Sequence, residues 1–80
     1  MNTFKLSNIS LAQMRLLLKN CKCTCARTSG GHEMWVRGDL GRPITLQNHI
    51  DPVPEFIVKQ ICKHLGISKK QVHELIHKKK

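Results

Sequence analysis

Tyrosine is missing from these 80 residues, and two phenylalanines and one tryptophan are the whole aromatic complement. Proteins that hold single strands by base stacking need several exposed rings on one platform; Phe4, Trp35 and Phe56 are too scattered to make one. Trp35, between Met34 and Val36, is expected in the core. Acidic residues are nearly as scarce. Five Asp and Glu face fourteen Lys and Arg, a formal charge of +9. Long apolar runs are absent too: the longest have three residues, such as Leu16-Leu17-Leu18, against the roughly 20 that span a bilayer. The opening MNTFKLSNIS has no apolar core of the signal-peptide kind. A cytoplasmic protein with no membrane partner is the expectation.

What is present is one small domain over residues 1–80, with 40% hydrophobic residues, enough to disfavour disorder. The two halves carry +4 and +5, so the positive charge belongs to the whole surface and not to a tail. Such a field attracts polyanions, nucleic acid or an acidic protein.

Ser10 with Gln13 has the form of a capping box. Leu11, Met14, Leu17 and Leu18 follow as one apolar stripe, predicting a helix that ends near Asn20 with Arg15 and Lys19 on a solvent-facing side. Residues 21–28 alternate, with Cys21, Cys23 and Cys25 on one side, and are predicted as a strand with one buried face. A turn at Ser29-Gly30-Gly31 leads into a second strand, HEMWV over 32–36, and Gly38-Asp39-Leu40-Gly41 into a third over Pro43-Leu46. Residues 47–53 read as a linker holding His49. Pro54 suits the first turn of a helix carrying Ile57, Val58, Ile61, Cys62 and Leu65, closed by Gly66. Ser68 and Gln71 cap a last helix with Val72, Leu75 and Ile76, fraying into Lys78-Lys79-Lys80. The pattern predicts an α+β domain: a three-stranded antiparallel meander with helices on one face and the other face open.

Four cysteines invite a zinc reading. Sulfurs at i and i+2 on an extended strand stand roughly 6.5 Å apart, too far for one ion without a kink, and residues 21–26 contain no Gly or Pro to make one. The cysteines are expected as core residues, without disulfides. His73-Glu74-Leu75-Ile76-His77 fits H-E-x-x-H, but a third ligand is commonly found further along the chain and only three lysines follow. This reads as a solvated helix face, and neither metal nor cofactor is expected. His32 is the more informative residue. It follows two glycines whose N–H groups can hold a phosphate oxygen, and Lys22, Arg27, Arg37 and Arg42 lie nearby in sequence as phosphate contacts. An imidazole can act as acid or base at neutral pH.

Taken together, Leu17-Leu18-Lys19-Asn20, Cys23-Thr24-Cys25-Ala26-Arg27, Gly30-Gly31-His32, Trp35, Thr45-Leu46-Gln47-Asn48-His49 and Ile61 to Ser68 resemble the HicA family of mRNA interferase toxins from bacterial type II toxin–antitoxin systems. The resemblance runs from Lys5 to Leu75. It implies a fold like a double-stranded-RNA-binding domain and a bacterial or archaeal cytoplasmic setting. It also implies a metal-independent endoribonuclease that cleaves mRNA with His32 as catalytic residue, and a HicB-type antitoxin covering the active surface. Lys22, Arg27, Gly30, Gly31, Arg42 and His49 are then expected to bind substrate, with His49 orienting the linker. Gly31 stands where the family has serine, and Cys23 where an aromatic is common. A non-catalytic RNA-binding module is the alternative expectation.

Overall fold

The computed structural model describes residues 6–77; Phe4, Lys5 and the closing lysine run lie outside them. The elements in chain order are α1 (Leu11–Asn20), β1 (Thr24–Ser29), β2 (His32–Val36), β3 (Ile44–Gln47), α2 (Glu55–Leu65) and α3 (Lys69–Ile76). The strands form one antiparallel sheet in the order β1-β2-β3. This is an α+β architecture, and no helix among the described residues is long and apolar enough to cross a membrane.

Both expected capping boxes form. Ser10 Oγ accepts from Gln13 N at 3.0 Å while Gln13 Oε1 accepts from Ser10 N at 2.8 Å; Ser68 and Gln71 repeat the exchange at α3. Each box satisfies backbone donors that have no partner within the helix. Pro54 takes the cap position of α2, one residue outside the helix.

The first strand differs from expectation. It begins at Thr24, because Cys21 and Lys22 close α1 in a Schellman turn: Cys23 N donates to Leu18 O at 2.9 Å and Lys22 N to Lys19 O at 3.0 Å. Lys22 takes φ 70°, the left-handed conformation usually left to glycine. That turn supplies the bend that no Gly or Pro announced, so the three cysteines are not one strand face. Cys21 and Cys23 are buried at the helix end, whereas Cys25 lies on an edge strand whose six residues are all exposed. The third strand starts at Ile44 and includes Gln47, one residue later at each end than the pattern predicted.

Alternation along β2 and β3 separates the two faces. Glu33, Trp35, Ile44 and Leu46 are buried, while His32, Met34, Val36, Thr45 and Gln47 are half-buried or exposed. The buried side joins one core with Met14, Leu17 and Leu18 of α1, Val58, Ile61 and Cys62 of α2, and Val72 and Ile76 of α3. The last helix packs beside α1, tied by Asn20 Nδ2 donating to Leu75 O at 2.7 Å. Residues 48–54 are pinned: Val53 N donates to Ile9 O at 2.8 Å, and Asp51 Oδ1 accepts from Leu11 N at 3.0 Å in the first turn of α1.

Candidate functional site

Ser29 pairs with His32 across the tight β1–β2 turn, leaving Gly30 and Gly31 as its two central residues. Gly30 has φ 58°, a backbone conformation that other residues resist. Gly31 is glycine for a different reason. A Cβ there would stand 2.7 Å from Nδ1 of His49, so the imidazole occupies the space a side chain would need. The serine expected from the HicA pattern would have to push this ring aside.

The Gly31 carbonyl holds the far segment in place. It accepts from Asn48 N at 2.8 Å and lies 3.3 Å from His49 Nδ1. The His32 and His49 rings are thereby brought to 6.3 Å between centroids with planes at 81°. Both histidines are exposed.

Arg27 faces Met34 and Ser29 faces His32 across the ladder, so Arg27 shares the open face with His32 at a diagonal position. Arg27 is exposed, and among the described residues no carboxylate pairs with it. Arg27, Gly30, Gly31, His32 and His49 thus converge at one end of the sheet. Lys22 and Arg42 do not. Thr24 pairs with Val36 and Ile44 with Trp35, which puts both cations at the opposite end, four or more strand residues away at about 3.3 Å each. Arg42 instead lines a groove of ≈ 850 Å³ between β3 and α2, with Met34, Thr45, Ile57, Lys63 and His64 among the other lining residues. Among the described residues no acidic side chain lines it. Met34 and Thr45 belong to the open face, so the groove continues the surface that carries His32.

Two arginines have structural partners. Arg37 bridges Asp39, at 2.6 and 3.1 Å, and Cys21 O at 2.7 Å, tying the end of α1 to the β2–β3 turn. Arg15 keeps a half-exposed side chain on the expected solvent-facing side, yet it is not free there. It grips Glu33 through Nε and Nη2, the shorter contact being 2.6 Å. Trp35 Nε1 donates to the same carboxylate at 3.1 Å. Arg15 first, and after it the neutral Trp35 and Asn48 side chains, outweigh burial and hold the Glu33 carboxyl below its ordinary range. Directly behind His32 in sequence, Glu33 therefore fastens β2 to α1. Sequence reading missed this residue; the available signal was an acid two positions from Trp35, on the face the core needs.

Burial raises the thiols of Cys21, Cys23 and Cys62, the last to about 11. His73 and His77 stand 6.5 Å apart between ring centroids. Among the described residues no third His, Cys, Asp or Glu joins a pair into a metal-binding group. Compared with family models, with curated proteins and with solved structures, the chain finds no match in any of the three.

Proposed function

We propose that this chain is a HicA-like endoribonuclease that cleaves mRNA without a metal ion and is neutralised by an acidic HicB-type antitoxin laid over the His32 surface. The observation that carries the reading is the exposed His32 imidazole beside the Gly30-Gly31 turn, on an open sheet face with Arg27 diagonal to it. A three-stranded meander whose helices leave one face uncovered supports likeness to a double-stranded-RNA-binding domain, although that domain has no need of a histidine at a glycine turn.

RNA carries its own nucleophile. The protein needs only to move protons and to stabilise the charge that builds on phosphorus during 2′-hydroxyl attack. Gly30 and Gly31 N–H groups and the Arg27 guanidinium hold the non-bridging oxygens. His32 accepts the 2′-hydroxyl proton. A general base contributes about 10²–10⁴-fold, and that range sets the loss expected on removing it. Inhibition is steric, and a +9 chain meets an acidic inhibitor quickly and with strong dependence on salt.

The test is incubation of purified chain with mRNA in excess EDTA, beside His32→Ala. Cleavage by the wild type and at least a 100-fold loss in the variant, with retained RNA binding and unchanged circular dichroism, is expected. Equal cleavage by both overturns the assignment. RNA that binds steeply with salt and stays intact leaves the non-catalytic binding module as the reading.

A further inference from the structure

We propose that His49 is the second proton-transfer group of this site: its imidazolium protonates the departing 5′-oxygen while His32 takes the 2′-hydroxyl proton. This rests on the ribonuclease reading and adds the residue that completes the reaction.

Cleavage by the 2′-hydroxyl requires one proton to be removed and another delivered on opposite sides of the same phosphorus. The P–O2′ bond forms, the P–O5′ bond breaks, the 2′ proton goes to His32, and the His49 proton goes to O5′. The products are a 2′,3′-cyclic phosphate and a free 5′-hydroxyl, and no other reactant is consumed. One imidazole would have to serve both oxygens in turn; two imidazoles flanking the phosphate serve both in one step.

The geometry supplies the pair. Centroids 6.3 Å apart with planes near perpendicular are too wide for a ring-to-ring hydrogen bond and put both imidazoles within reach of one phosphoryl group laid across them. A carbonyl only accepts, so the His49 nitrogen facing Gly31 O is the donor, Nδ1–H. That leaves Nε2 as the nitrogen that exchanges a proton with substrate. An imidazolium has two N–H donors and no acceptor. His49 has a carbonyl ready for one of them and the leaving oxygen for the other, the arrangement of an acid. Among the described residues no side-chain hydrogen bond occupies the His32 ring, which is free to accept. The seat of His49 is built: it depends on the missing Cβ of Gly31 and on Asn48 N bonded to the same carbonyl. A ring that only oriented the linker would not need to be exposed beside an equally exposed His32.

The test uses full-length chain and one oligonucleotide in two forms. The first is all-oxygen RNA; the second has sulfur in place of the bridging 5′-oxygen at the cleaved bond, and a thiolate departs without being protonated. His49→Ala is expected to lose about 100-fold or more on the oxygen substrate and only a few-fold on the sulfur one. His32→Ala loses on both. Gly31→Ala, which displaces the His49 ring while both histidines remain in the chain, reproduces the His49→Ala split and guards against a folding defect in the first variant. Full activity of His49→Ala on RNA, or equal loss on both substrates, overturns the assignment alone. Wild-type protein that cleaves neither substrate overturns the ribonuclease reading, and this one with it.

Discussion

Glu33 illustrates how much a single side chain settles and how little of that is written locally. The alternation in HEMWV put Trp35 toward the core, and the residue two positions earlier had to share its face. A buried carboxylate needs partners, and its partner Arg15 is 18 residues away on α1, where helical spacing alone marked that arginine as solvent-facing. Glu33→Gln is expected to cost about 1–3 kcal/mol at pH 7, since it weakens the grip on Arg15 and leaves Trp35 Nε1 with a poorer acceptor. Arg15 holds the folded carboxyl below its ordinary 4.5. Its stabilisation is therefore whole above about pH 4.5 and is lost as pH falls through the lower folded value. Urea unfolding from pH 7 down to pH 3 should show that loss in the wild type and a flatter profile in Glu33→Gln.

The thiols separate on the same scale. Cys25 is exposed, while desolvation keeps Cys21, Cys23 and Cys62 protonated. Brief alkylation of native protein at pH 8 followed by mass spectrometry should therefore add one label, at Cys25. Four labels at equal rates would contradict this burial pattern.

At the scale of elements, the capping boxes, the Gly-Gly turn and the apolar stripes made α1, α3, β2 and the body of α2 readable, because each signal is local and satisfies its own backbone. The start of β1 was unreadable for a comparably local reason. Two helices end in the same Schellman geometry; α2 uses Gly66 at φ 72°, and α1 uses Lys22 at φ 70°. Glycine announces that turn and lysine does not, so the helix end and the cysteine alternation merged into one apparent strand. A left-handed lysine is strained. Lys22→Gly is expected to stabilise the fold by about 0.5–1 kcal/mol after the extra freedom glycine gives the unfolded chain is counted. Ser68→Ala should remove about 1 kcal/mol by opening the α3 capping box. Denaturant midpoints at constant slope read out both changes.

Across the whole molecule, the candidate site was partly legible. Gly30-Gly31-His32 is a contiguous signal. The approach of His49 to Gly31 joins positions 18 residues apart and exists only once β3 has paired with β2. The β1–β2 pairing carries Lys22, and the β2–β3 pairing Arg42, to the far end of the sheet, although both are close to His32 in sequence. Within the +9 surface, Arg27 lies by the histidines, and Arg42 with Lys63 lines the groove beside α2. If RNA runs from one to the other, Arg42→Ala with Lys63→Ala should reduce the dependence of log binding constant on log salt by roughly 0.7–1 per cation removed. Binding titrations between 50 and 200 mM salt would show it, and an unchanged slope would place the RNA elsewhere.

The central claim is that an imidazole at His32 turns the 2′-hydroxyl of bound RNA against its own phosphodiester. Its most direct test compares an RNA oligonucleotide with the same oligonucleotide bearing a single 2′-deoxy sugar at the cleaved position, both incubated with wild-type protein in excess EDTA. The account predicts cleavage of the first to 2′,3′-cyclic phosphate and 5′-hydroxyl ends, and no cleavage of the second at that bond. Cleavage of the deoxy substrate at the same rate, or products with 5′-phosphate ends, would contradict it.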